Sequence, residues 1–195
     1  GATLGAVTAV PGYFRRVRDI CDRHGVLLIL DEVMCGMGRT GTLHACEQEG
    51  IAPDLMVIAK GLGGGYQPIG ALLVAGRIFS ALREGTGFFQ HGHTYMGHPV
   101  ACAAALATLD LVEGSLTENA AIMGEQLMSA MRELQTRTPL LTDVRGRGLM
   151  IGLDFPTHDV AAAIEQECFR RGLLVLTCGK RSVRLAPALT VEPRH

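Results

Sequence analysis

Two charged side chains stand where apolar runs end. Val26-Leu27-Leu28-Ile29-Leu30 stops at Asp31, and Leu55-Met56-Val57-Ile58-Ala59 stops at Lys60. Carboxylates and lysines seldom sit in such settings unless something pairs with them. A lysine amine that can shed its proton attacks carbonyl carbon to form an imine and also serves as a base. A carboxylate at the same crevice keeps a neighbouring nitrogen protonated. Each residue taken singly is equally well a strand-end charge facing water.

The elements around them would have to bring the two charges together. Apolar residues at Tyr13, Phe14, Val17, Ile20 and Cys21, opposite Arg15, Arg16, Arg18, Asp19 and Arg23, predict an amphipathic helix from Pro11 to His24, stopped by Gly25. The continuous run Val26–Leu30 predicts a strand buried on both faces of a parallel sheet. Asp54–Ala59 predicts a second strand, and Ala71–Ala75 a third apolar stretch after a Gly/Pro-rich turn. The stretch from Asp31 to Lys60 is long enough for a return connection between parallel strands. Helix, strand and loop in this order predict an α/β layered domain with its functional loops at the strand carboxyl ends.

Downstream, Pro99–Val112 predicts a tightly packed Ala/Leu-rich helix starting at Pro99. A separate helix is expected from about Leu116 to Arg137, with Ile122, Leu127, Met131 and Leu134 inward. Strand Gly148–Phe155, helix Asp159–Arg171 and strands Leu173–Thr177 and Ser182–Ala186 then describe a smaller α+β unit. Arg145 and Arg147, flanking Gly146, are expected on the turn into it. The boundary between the two units falls in or just after the second helix.

Composition removes several classes of function. With 48% hydrophobic and 19% charged residues the chain is neither disordered nor collagen-like. A net charge of −1 without basic clusters gives no support to a nucleic-acid partner. No apolar run is long enough to span a bilayer, so no membrane role is expected. The six cysteines form no C-x-x-C pair and read as buried or incidental thiols of a reducing, cytoplasmic compartment. Gly1-Ala2-Thr3-Leu4-Gly5 reads as the middle of a loop. Gly61–Gly65 lacks the G-K-[ST] ending of a phosphate loop, and its lysine precedes the glycines. His91, His93 and His98 make only a loose metal pattern without a carboxylate, so no metal is expected.

Four segments carry more specific information: Leu30-Asp31-Glu32-Val33; Gly36-Met37-Gly38-Arg39-Thr40-Gly41; Pro53-Asp54-Leu55 continued by Ala59-Lys60-Gly61-Leu62-Gly63-Gly64-Gly65-Tyr66-Gln67-Pro68-Ile69-Gly70-Ala71; and His93-Thr94-Tyr95-Met96-Gly97-His98-Pro99 through Leu106. In residue type, order and spacing they closely resemble the class III aminotransferases, enzymes that use pyridoxal 5'-phosphate (PLP). The resemblance implies an α/β fold: residues 1–114 as the C-terminal part of a type I PLP-transferase large domain, a mostly parallel sheet with helices on both faces. It implies residues 115–195 as a small C-terminal α+β domain, incomplete at its end. Lys60 would be the Schiff-base lysine and proton shuttle, and Asp31 the partner of the pyridine nitrogen. Val33 would pack on the ring, and Thr94 would reach the cofactor phosphate of the other subunit of a homodimer. Arg184 would grip a substrate carboxylate with its planar fork. The implied reaction moves an amino group from an amine or amino acid to a 2-oxo acid.

The alternatives are an aminomutase or decarboxylase on the same fold, or a truncated, non-catalytic fragment. Family members have a long stretch before the equivalent of Pro11 that supplies the cis phosphate site and the ring-stacking aromatic residue. One departure stands out: many members have glutamine where this chain has Met34, which cannot donate a hydrogen bond. Glu32 is expected to point away from Asp31 as a structural residue, and Arg39 to pair with a nearby acid.

Overall fold

A computed structural model describes residues 1–195. Helix α1 (Tyr13–His24) ends at Gly25, which takes the left-handed conformation at φ 65°, with Arg23 and His24 in the last turn. Strand β1 (Ile29–Asp31) runs parallel to β2 (Leu55–Ala59), with Asp31 level with Val57. Strand β3 (Gly70–Val74) returns antiparallel, Ala59 facing Gly70. The sheet is therefore mixed rather than mostly parallel. The connection of residues 60–69 is too short for a crossover helix, so the chain can only fold back beside β2.

Charge, more than apolar surface, fastens the start of this sheet. Asp54 is buried, and its carboxylate accepts from the Leu28 amide at 2.7 Å and from Arg18 at 3.0 Å, with Arg77 closing on the other oxygen. The Leu28 amide, helped by the two guanidiniums, holds the carboxyl down to about 2. One side chain thus joins α1, β1, β2 and the helix α2 (Gly76–Glu84) that follows β3.

The expected burial of Val26–Leu30 on both faces is not met. Leu28 is buried, but Val26, Leu27 and Ile29 are exposed, as is every residue of β3. Only one face of the sheet carries a core, built from Met37, Cys46, Met56, Ile58, Leu62 and Ala105. Helices do not cover both faces within these residues.

Helix α3 (Pro99–Leu111) supplies Ala105 and continues without a break into α4 (Thr117–Arg137). The expected pair of separate helices is one helix of 39 residues. Residues 112–116 form a π turn that absorbs Gly114 and Ser115 and buries Val112. By length and hydropathy this helix meets the test for a bilayer span. Ala101, Ala105, Ala120, Gly124 and Met128 are buried along it, while Val100, Leu106 and Leu111 are exposed. The inward row of α4 is Ala120, Gly124 and Met128, at spacing of four; Ile122 and Leu134, expected inside, face solvent. Small residues let the helix approach closely: a Cβ at Gly124 would lie 2.3 Å from the backbone of Gly148.

The second sheet has the order β4-β5-β7-β6 and is antiparallel throughout. Its strands are β4 (Asp143–Arg147), β5 (Met150–Asp154), β6 (Leu176–Cys178) and β7 (Ser182–Leu185), with α5 (His158–Arg170) between β5 and β6. Arg145-Gly146-Arg147, expected on a turn, lies in β4, and the turn falls at Gly148-Leu149. Met128, Leu141, Val144, Ile151, Leu153, Phe155, Ala161 and Val183 make its core.

Candidate active site

The site begins where β1 ends. Asp31 Oδ1 accepts from the Val33 amide at 2.9 Å, which turns the chain away from the sheet and fixes the carboxylate while leaving Oδ2 without a partner in the chain. Glu32 points the other way and is buried. Its two oxygens accept from the Ala45 and Cys46 amides, each at 2.9 Å, at the start of the 3-10 turn Ala45–Glu49. Cys35 Sγ donates to Glu32 at 3.2 Å. Burial, then the Glu32 charge, pushes the Cys35 thiol up to about 12 and the Cys46 thiol up to about 11, so both stay protonated.

Lys60 follows β2 directly. Because β1 and β2 are parallel neighbours, Lys60 leaves the sheet at the same end as Asp31. Its backbone takes φ 49°, a left-handed value that a residue with a side chain adopts at a cost of about 1 kcal/mol. The buried pair Leu62 and Gly63 anchors the 3-10 turn that imposes it. The ammonium makes one polar contact, to Met34 Sδ at 3.0 Å, and none to Asp31. A thioether is a weak acceptor. The amine is therefore held over the loop after Asp31 without being committed to an ion pair. Val33, half-buried, sits in that loop beside Met34.

Arg184 is half-buried on β7, opposite Gly152 on one side and Leu176 on the other, and its guanidinium has no hydrogen-bond partner within the chain. Arg39 does not pair with an acid as expected. Its Nη1 donates to the carbonyls of Leu149 at 3.1 Å and Pro187 at 2.6 Å. Its own carbonyl accepts from the Leu149 amide at 3.0 Å. Gly148 permits this seam: at φ 51° it takes a left-handed turn, and a Cβ there would strike Thr40 and Arg39 backbone at 2.6 and 2.8 Å. The loop that follows Asp31 is in this way bonded to the sheet that carries Arg184.

Thr94 lies elsewhere, in the exposed turn of residues 93–96 ahead of α3, and makes no hydrogen bond to Asp31, Val33 or Lys60. His98 accepts from the Ala101 amide at 3.2 Å and so caps α3. His91 and His93 pack edge to face, 4.9 Å apart.

A sequence model of the class-III aminotransferases matches residues 2–195. The chain belongs to the class III aminotransferase family. It is 48% identical over 156 residues to an aminotransferase of Gibberella zeae, covering 80% of this chain and 30% of that protein. It is 43% identical over 191 residues to a putrescine aminotransferase of Pectobacterium atrosepticum, covering 96% and 40%. Among solved structures it superposes with a TM-score of 0.90 and 41% identity on an amine transaminase from an uncultivated Pseudomonas species in its PLP-bound form, covering 97% of this chain and 46% of that one. An acetylornithine aminotransferase from Elizabethkingia anophelis gives 0.91 and 34%, covering 98% and 48%. The chain spans less than half the length of each of these relatives.

As a class III aminotransferase chain, it holds residues that reading the sequence gave no role. Asp54 was visible only as part of a motif; the signal was an acid immediately before a buried strand, where it can cap backbone amides. Met34 entered as a missing donor rather than as the group that touches Lys60. That contact depends on how tightly the chain turns after Asp31, which no spacing rule supplies.

Proposed function

We propose that the polypeptide carrying this chain is a PLP-dependent transaminase that moves an amino group from an amine or amino acid to a 2-oxo acid. One observation carries the reading: an uncommitted lysine amine and a carboxylate with one free oxygen leave adjacent parallel strands at the same end. The donor set suits PLP. Lys60 is the group for its aldehyde, Asp31 Oδ2 the acceptor for its ring nitrogen, and Val33 an apolar surface for its ring. When bound, PLP supplies a carbonyl that takes up the amino group and a ring that withdraws electrons from the substrate carbon. The protein's residues do the rest. Asp31, held by the Val33 amide, keeps the ring nitrogen protonated. Lys60 carries the proton to and from the substrate carbon. Arg184 offers a planar pair of donors to a substrate carboxylate.

Residues 1–114 are proposed as the large-domain part of a type I PLP-transferase fold and 115–195 as the small domain. The assembly proposed is a homodimer, in which Thr94 serves the partner subunit's cofactor. A cytoplasmic location is proposed from the cysteines, all of them unpaired.

The test is trapping. The polypeptide is incubated with PLP and reduced with borohydride, and the adduct is mapped by mass spectrometry. It is expected on Lys60 and is lost in Lys60→Ala. A folded protein that retains PLP with no label on Lys60 would sink the reading.

A further inference from the structure

We propose that Arg39 is a positioning residue for substrate recognition: it fastens the Arg184 strand against the loop that follows Asp31 and leaves the Arg184 guanidinium free to take a carboxylate. The inference rests on the reading of Arg184 given above and extends it.

Arginine on this sheet is otherwise matched. Arg145 bonds to Asp143 at 2.7 Å, to Asp154 at 2.6 Å and to Ser182 at 3.0 Å. Arg181 lies 3.6 Å from Asp154, and Arg147 donates to Gln48 at 2.5 Å. Arg184 is the exception on the sheet, its guanidinium with no side-chain or backbone partner, and Arg39, in the loop facing it, bonds to carbonyls and to no acid. Both are half-buried, where an unmatched charge is costly unless a counter-ion arrives.

Arg39 meets that cost with two backbone carbonyls, Leu149 and Pro187. Leu149 is the residue before β5 and Pro187 comes just after β7, the strand that carries Arg184. The Pro187 carbonyl, just past that strand, is thereby taken by Arg39, and the Arg184 guanidinium is left without a hydrogen bond in the chain. Desolvation lowers the Arg39 pKa first, and the charge of Arg184 lowers it further, as expected of two guanidiniums sharing one region. A carboxylate arriving there relieves the repulsion, which favours substrates that carry one. Lysine is an imperfect substitute: both bonds come from one nitrogen, Nη1, and an ammonium on a flexible stem is not aimed there as the rigid guanidinium is.

The experiment uses the PLP-loaded polypeptide with pyruvate as acceptor, and its cofactor-free form for binding. Arg39→Gln is expected to raise the KM for pyruvate by about 10- to 100-fold, the effect of one lost charge-assisted contact. The Kd for pyruvate measured calorimetrically should rise in parallel, while the Kd for PLP stays within about twofold. Arg39→Lys is expected to fall between the wild type and Gln; it keeps the test decisive should Gln fail to fold. Arg184→Ala is the control for the underlying reading. If Arg184→Ala leaves pyruvate binding unchanged, the assignment of Arg184 fails. If Arg184→Ala weakens pyruvate and both Arg39 variants do not, or if they weaken PLP and pyruvate equally, the role of Arg39 is overturned and Arg184 stands.

Discussion

The two sheets of this chain solve the same problem in opposite ways. The second sheet is closed by apolar packing: Ile151 and Ala161 are fully buried, and Val183 nearly so. The first sheet leaves β3 and much of the run before Asp31 exposed, and is fixed at its ends by buried carboxylates, Asp54 at the start and Glu32 at the finish. Hydrophobic burial is non-directional, whereas a carboxylate that accepts two or three specific bonds fixes direction. The sheet that aims Lys60 and Asp31 in the proposed function is fastened at both ends by such anchors. The apolar sheet contributes Arg184, and the Arg39 seam links the two.

The sharpest way to break the contrast is at the aimed residues. Lys60→Ala is expected to cost transamination about 10³-fold or more in kcat/KM, since the proposed function makes Lys60 both the nucleophile and the proton carrier. Asp31→Asn is expected to cost about 10²-fold, because an amide still accepts from the Val33 amide but cannot hold a protonated nitrogen by charge. Far-ultraviolet circular dichroism of both variants should match the parent. Loss of helix signal in either would show the residue to be structural rather than chemical.

The same contrast separates what the sequence disclosed from what it hid. Helix α1 and strands β2 and β7 were legible because periodicity and flanking glycines reflect local geometry. The placing of Asp31 and Lys60 at strand ends was legible in the apolar runs that precede them, whereas the roles proposed for them came from the family resemblance. The antiparallel return of β3 was hidden, although the shortness of residues 60–69 could have revealed it. The unbroken helix through residues 112–116 was hidden because a π turn accommodates Gly114 without a stop. The Arg39 seam was out of reach for a further reason. Its acceptors are the carbonyls of Leu149 and Pro187, 110 and 148 residues away, and a backbone acceptor leaves no mark in residue type.

Core truncation tests the apolar side. Ile151→Ala is expected to destabilise the protein by about 3–4 kcal/mol, while Leu72→Ala on the exposed face of β3 should cost under about 1 kcal/mol. Urea denaturation of the PLP-free polypeptide checks both. Equal losses would mean that something covers the first sheet as fully as the second.

Acid tests the directional side. The Asp54 carboxyl lies at about 2 in the folded chain against 3.8 when free, so the unfolded state binds its proton first as pH falls. The stability it contributes is therefore complete above about pH 4 and drains away towards about pH 2. At neutral pH, Asp54→Asn should lower stability by about 2–3 kcal/mol, since it removes the buried charge that Arg18 and Arg77 face and leaves Arg18 only the exposed Asp22. The gap between parent and variant should close over that same acid interval, whereas the deficit of Ile151→Ala should not. Melting temperatures taken from pH 6 downward read both curves. A gap for Asp54→Asn that stays flat to the lowest pH would remove Asp54 as the charged anchor and leave the first sheet held, like the second, by packing.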